Sequence, residues 1–294
     1  MGSLVRFRGT NSQDGDTWHL AEIDYILSQA NRSPFDRMLD LGCGDGGRVR
    51  ALNLRGYNNA VGIDALQTNI EAARRRNAKG TQQVSFIQAD PPHCPFADRS
   101  FDEILILGDL LGHSSSPRHD VELLKEAQRM LRAGRALWLS IVDGEWMRKH
   151  YQPDSVEPLL SGFLCQHRTL SPDDSHLTTR TIVADEERGV ATDQVSTEWL
   201  YGAKDLTNIL RQLGFEAISY RAHEPGFKPQ PHGRRDAAPR YLVRCLAPYP
   251  DGRSARRVRN SWSVLDSPHG LHAQYGGSAT AARRLFDQRH GRGV

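Results

Sequence analysis

A chain of 294 residues that is 38% hydrophobic and 25% charged has material for a sizeable core and the balance of an ordinary soluble protein. Its net charge of +3 is unevenly spread: residues 247–294 carry eight arginines and three aspartates, so the preceding residues sum to −2. A slightly acidic body argues against tracking a phosphate backbone, which rewards clustered Lys and Arg. The four cysteines, at 43, 94, 165 and 245, form no C-x-x-C pair and no regular spacing, so neither a disulfide framework nor a zinc motif is expected. Met1 to Thr10 lacks the apolar stretch of a secretory signal, and the most apolar run, Ile104 to Leu111, is short and broken by Gly108 and Asp109. The expectation is a cytoplasmic protein with no membrane role.

Residues 1–35 begin with a polar, glycine-bearing stretch, after which Trp18, Leu20, Ala21, Ile23, Ile26 and Leu27 recur at roughly helical spacing until Asn31-Arg32-Ser33-Pro34. A helix is predicted here. The first strand is Met38 to Leu41, and it runs into Gly42-Cys43-Gly44-Asp45-Gly46-Gly47 with a helical pattern (Val49, Leu52, Leu54) following at once. Strand, tight loop and helix in that order expose backbone N–H groups to a small polar ligand, because glycines remove the Cβ atoms that would hold it away. Gly42, Gly44 and Gly47 also satisfy the G-x-G-x-x-G dinucleotide spacing, with Asp64 ending the second strand, Ala60 to Asp64. A carboxylate there suits the two hydroxyls of a ribose, in a nicotinamide cofactor or any other nucleoside.

Two acids tilt the choice. Asp40 precedes the Leu-Gly step, where it would repel a pyrophosphate, and Asp90 follows the third strand, Val84 to Gln88. The run Leu39-Asp40-Leu41-Gly42-Cys43-Gly44-Asp45-Gly46, with these two acids, resembles the class I S-adenosylmethionine-dependent methyltransferases, and the resemblance covers about residues 36–246. It implies a Rossmann-like, doubly wound α/β sheet of seven strands, mostly parallel with an antiparallel last strand. It also implies S-adenosylmethionine over Gly42 to Gly46, with Asp40, Cys43, Asp64, Ala65, Leu66, Ala89, Asp90, Pro91, Leu107 and Gly108 around it. The N-terminal helix would close over the ligand and bring Trp18 or Tyr25 to the acceptor, although ordinary packing against the sheet is the stronger account of those two.

Asp90-Pro91-Pro92-His93 is like the D-P-P-Y motif of enzymes that methylate nucleic-acid bases, but it follows the wrong strand and lacks the stacking aromatic. The helix Gln67 to Arg76 ends in Arg74, Arg75 and Arg76, where the macrodipole favours cations. The fourth strand, Glu103 to Leu107, leads into Gly108-Asp109-Leu110-Leu111-Gly112-His113, on the side of the sheet where ligands gather. His113 and then Asp109 are the candidate bases, His113 because its ordinary pKa lies nearest neutrality. In-line methyl transfer from a sulfonium needs positioning above all, so a base is optional. His93, His113 and His119 lack metal-ligand spacing, and no metal is expected.

A helix from Pro117 to Leu131, the turn Arg132-Ala133-Gly134-Arg135 and a fifth strand, Ala136 to Val142, continue the core. Residues 144–200 read as an insertion. After Trp146 to Tyr151, the alternating segments Phe163 to Leu170, Leu177 to Ala184 and Val190 to Trp199 predict a small antiparallel β lid. Trp146, His150, Arg180 and Tyr201 are the candidate walls for the acceptor. A helix from Ala203 to Leu213, stopped by Gly214, and strands Phe215 to Arg221 and Arg240 to Ala247 close a domain spanning 36–248. Residues 249–294 are basic and poor in aliphatics, a tail without its own core.

The reading is thus a methyltransferase moving a methyl group to an O, N or C atom of a small molecule. The alternatives are an RNA or protein methyltransferase recruiting through the tail, an NAD(P)-dependent oxidoreductase on the same loop, and a member that binds the cofactor without catalysis. The sequence sets no oligomeric state.

Overall fold

The computed structural model describes residues 12–30, 32–78, 84–159, 161–185, 189–223 and 238–250. All but the first two residues of the tail expected at 249–294 therefore lie outside the described residues.

Eleven strands and six helices follow in the order α1 (Ser12–Ser28), β1 (Met38–Leu41), α2 (Gly47–Leu54), β2 (Val61–Asp64), α3 (Gln67–Asn77), β3 (Ser85–Gln88), β4 (Phe101–Ile106), α4 (Pro117–Met130), β5 (Leu131–Val142), α5 (Gly144–His150), β6 (Asp154–Leu159), β7 (Gly162–Leu170), β8 (His176–Asp185), β9 (Gly189–Trp199), α6 (Ala203–Gln212), β10 (Glu216–His223) and β11 (Arg240–Leu246). Among the described residues, no helix is long and apolar enough to cross a membrane.

The larger sheet has the order β10-β11-β5-β4-β1-β2-β3, and β11 runs antiparallel to both of its neighbours. The expected doubly wound sheet of seven strands with an antiparallel last strand is present. Strands β1, β2 and β4 are buried at every position. Helices cover both faces of such a sheet, which is why these strands are mostly apolar, their acids Asp40, Asp64, Asp102 and Glu103 buried with them. Because the strands from β1 to β4 are parallel, their carboxyl ends share one edge, and the order reverses between β1 and β4. A crevice for ligands opens at such a reversal.

Charge inside this core is paired. The Trp138 indole donates to Glu103 at 2.6 Å, and the Arg32 guanidinium lies 3.3 Å from the same carboxylate. Burial nevertheless raises the Glu103 pKa above its ordinary value. The predicted turn at Arg132 to Arg135 appears as an irregularity within β5: the register with β4 jumps from Phe101↔Leu131 to Glu103↔Ala136, with Gly134 at φ +71°.

The second sheet is antiparallel, in the order β6-β7-β8-β9. Three of its strands match the alternating segments. The fourth, β6, was not expected; it holds Pro158. As an edge strand it can hold a proline, which has no N–H to give to a second neighbour. Helix α5 was missed as well. Asp143 caps it, accepting from the amides of Glu145 and Trp146 at 3.0 Å each.

Candidate active site

Three glycines of the loop after β1 stand in the left-handed region, at φ +73° for Gly42, +56° for Gly44 and +79° for Gly46. A side chain at Gly46 would be strained there, and its Cβ would meet the Phe86 ring at 2.7 Å. The loop is hung on the neighbouring strand: the amides of Gly42 and Cys43 both donate to the Ile63 carbonyl, at 2.9 and 2.8 Å. Gly46 caps α2 with no side chain, so the first turn of that helix presents bare N–H groups. Cys43 is buried, and its sulfur lies where a Cβ on Gly62 would fall, at 2.9 Å, so the residue serves packing.

Asp64 closes β2 beside this loop. One carboxylate oxygen accepts from the Gly44 amide at 2.9 Å; the other accepts from the Leu66 amide at 2.9 Å and from the Asn69 side chain at 3.0 Å. Asp64 thus braces the glycine loop and the start of α3 at once. With roughly four lone-pair positions on a carboxylate, these three bonds leave little acceptor capacity over. Ala89, after β3, donates its amide to the Asp64 carbonyl at 3.2 Å, which fixes Asp90 along the same edge. The Asp90 carboxylate is half exposed and lies 3.2 Å from the His93 ring.

A buried charge cluster closes the inner side of the loop. From α2, Arg48 donates to Glu22 of α1 at 2.7 Å and to the carbonyl of Leu107 after β4 at 2.9 Å, with its guanidinium 5.2 Å from the Trp18 ring centroid. Burial alone would lower the Arg48 pKa, but the carboxylates of Glu22, Asp40 and Asp109 outweigh it and the net shift is upward. One guanidinium therefore joins α1, α2 and the ends of β1 and β4. The sequence reading missed both Arg48 and Glu22. Their signal was a charged residue at a core-facing helical position, Glu22 four residues after Trp18 and Arg48 beside Val49.

The loop after β4 touches the glycine loop, since a Cβ on Gly42 would meet Leu110 at 3.2 Å. It is also clasped to the lid: the Trp199 amide donates to the Gly112 carbonyl at 2.6 Å, and the Trp199 indole donates to the Ser114 carbonyl at 3.1 Å. His113, between those two carbonyls, has its Nε2 at 3.8 Å from a Glu198 carboxylate oxygen, both side chains four-fifths buried. Its Nδ1 is buried and has no hydrogen-bond partner among the described residues. Tyr201 donates its hydroxyl to Asp120 at 2.7 Å. Burial raises the pKa of both groups, and the Asp120 charge pushes the phenol further up. Asp109 points outward and pairs with Arg240 at 3.1 Å.

Residues 38–134 match the family model described as "Methyltransferase domain". Over that span the chain is similar to a methyltransferase domain, and its fold is shared by S-adenosylmethionine-dependent methyltransferases such as one from Clostridium acetobutylicum, with a TM-score of 0.59 at 14% identity. Among the curated relatives of this chain are Methyltransferase GfsG of Streptomyces halstedii, 33% identical over 39% of this chain and 40% of that protein, and a fatty-acid O-methyltransferase of Mycolicibacterium smegmatis, 37% identical over 33% and 34%. The chain thus spans less than half the length of these two relatives. The CcbJ methyltransferase of Streptomyces caelestis shares the fold, with a TM-score of 0.62 over 80% of this chain and 90% of that one at 12% identity.

The site's residues fit S-adenosylmethionine: the first turn of α2 presents bare N–H groups at the glycine loop, and the carboxylates of Asp64 and Asp90 stand at the ends of β2 and β3 beside it. Of the candidate wall residues, Tyr201 stands at the base of the lid, committed to Asp120. Trp146 and His150 stack on each other at 4.7 Å on α5. Tyr25 lies under the Arg221 guanidinium, 4.6 Å from its centroid. Arg180 pairs with Asp193 at 2.7 Å on the outer face of the lid; its ladder partner is Val195, whereas Glu198 pairs with Leu177, which puts Arg180 and Glu198 on opposite faces.

Proposed function

We propose that this protein moves a methyl group from S-adenosylmethionine to an oxygen or nitrogen atom of a small molecule, with His113 as the base. The observation that carries the reading is the meeting of His113 and Glu198, from a core loop and from the lid, beside the loop that touches Gly42. The residues Gly42, Gly44, Gly46, Asp64 and Asp90 would hold the cofactor, with Asp40, Ala65, Leu66, Ala89, Pro91, Leu107 and Gly108 lining the same strand ends. Bound there, S-adenosylmethionine supplies a methyl group activated by its sulfonium.

The chain's own share is orientation and proton management. The His113 ring takes the proton that the acceptor atom sheds, and Glu198 stabilises the imidazolium so formed. Glu198 is the residue the sequence reading lacked, since a glutamate in an alternating strand reads as solvent-facing. The clasp of Trp199 on Gly112 and Ser114 keeps the ring in register with the cradle. Asp109, drawn to Arg240, takes no part in proton transfer. The enclosed setting of the pair, below a sheet and not along a basic groove, favours a small acceptor over a polymer, and the fatty-acid substrate in one relative's name is of that class. Four free cysteines fit a reducing compartment such as the cytoplasm.

Calorimetry with S-adenosylhomocysteine, followed by screening of metabolites for a gain of one methyl group, tests the proposal. Binding of adenosylhomocysteine with methylation of a hydroxyl or amine is expected. Binding of NADH in its place, or methylation confined to protein or RNA, overturns it.

A further inference from the structure

We propose that the outer face of the lid sheet is where a second copy of this chain docks, forming a two-fold dimer. Of the large apolar side chains that stand exposed, Val156 (64%), Phe163 (47%), Val190 (67%) and Val195 (65%) all belong to this sheet. The ladder register places them together. Val156 pairs with Cys165 and Cys165 with Ile182; Phe163 pairs with Ala184 and Ala184 with Val190; Arg180 pairs with Val195. Side chains opposite one another in a ladder share a face, so the four exposed residues lie on one surface with Cys165 and Ile182 between them. The opposite face carries Leu164 and Leu177, both buried. A shallow cavity of about 200 Å³ opens on the outer face where Val156, Cys165 and Ile182 meet.

Size and charge point to a second copy as the occupant. The strands are 6, 9, 10 and 11 residues long. At about 4.8 Å between strands and about 3.3 Å per residue, they make a face of roughly 550 Å² in projection, before the relief of the side chains. A standard interface buries about 800 Å² per partner, which a face of this size approaches and a single docked peptide would not fill. The charged side chains on the face are Asp154, 2.8 Å from the His167 ring, and Arg180, 2.7 Å from Asp193. A face on which bases do not outnumber acids offers no attraction to a nucleic acid or an anionic membrane. Under a two-fold axis, each acid is instead available to the other copy's base. Sheets packed face to face across about 10 Å make an ordinary β sandwich.

Sedimentation equilibrium of the full chain under reducing conditions tests this, from about 1 to about 100 μM. The expected mass is twice 32.9 kDa at the upper end. Val156→Asp with Val195→Asp should weaken association at least a hundredfold while circular dichroism and adenosylhomocysteine affinity stay unchanged. Should that pair of charges unfold the lid, Val156→Thr with Val195→Thr keeps the strand preference and should still weaken the dimer about tenfold. A single-copy mass for the unsubstituted chain throughout the range overturns the proposal. So does a dimer whose dissociation constant is the same in a folded variant.

Discussion

The seven-stranded sheet and the lid sheet place opposite demands on their residues. In the first, β1, β2 and β4 are buried on both sides, so every position must be apolar or paired, and the ionisable groups that remain are held in fixed partnerships such as Arg48 with Glu22. In the second, residues alternate between a covered and an open face, and charges such as Arg180 and Asp193 pair in solvent. The comparison separates the cost of a charge from its presence. A buried pair that loses one partner strands the other, whereas an exposed pair has water in reserve.

The largest effect is expected at the cluster that ties α1 to the core. Arg48→Ala leaves Glu22 and Asp40 buried without their guanidinium and should cost about 3–5 kcal/mol in a denaturant titration. A loss below about 1 kcal/mol would put the two regions on equal terms. Next comes His113→Ala, which should reduce turnover by about 10²- to 10⁴-fold with adenosylhomocysteine affinity preserved, as single-turnover kinetics beside calorimetry would report. Unchanged turnover would confine the lid contact to packing. Gly46→Ala asks the core loop for a left-handed alanine at about 1–2 kcal/mol, with the Phe86 ring displaced as well; cofactor affinity should fall about tenfold. The smallest effect belongs to the lid: Arg180→Ala should leave turnover unchanged and the thermal midpoint within about 1 °C.

The same contrast governs what could be read from the residues alone. Core strands announce themselves as apolar runs, and Gly42, Gly44 and Gly46 announce a cradle because few other residues tolerate their backbone angles. Asp64 and Asp90 follow from their positions at strand ends. Asp64, expected as a ligand residue, fastens Gly44, Leu66 and Asn69. Arg48 and Glu22 were hidden because a charge on a helix reads as solvated until the partner helix is known. Glu198 and Trp199 were hidden for a related reason: alternation gives the two faces of a strand but not which face meets the core. The edge strand β6 escaped notice because its proline, Pro158, is admissible only at an edge, and an edge is a property of the assembled sheet.

The bond network joining Trp199 to Gly112 and Ser114 has a further consequence for engineering. On the proposed reading, acceptor preference is not a detachable cassette: transplanting lid strands from a homologue without the matching turn after β4 would lose the bonds that hold Trp199 to Gly112 and Ser114. Any chimera made to alter the substrate has to carry both halves of that buckle.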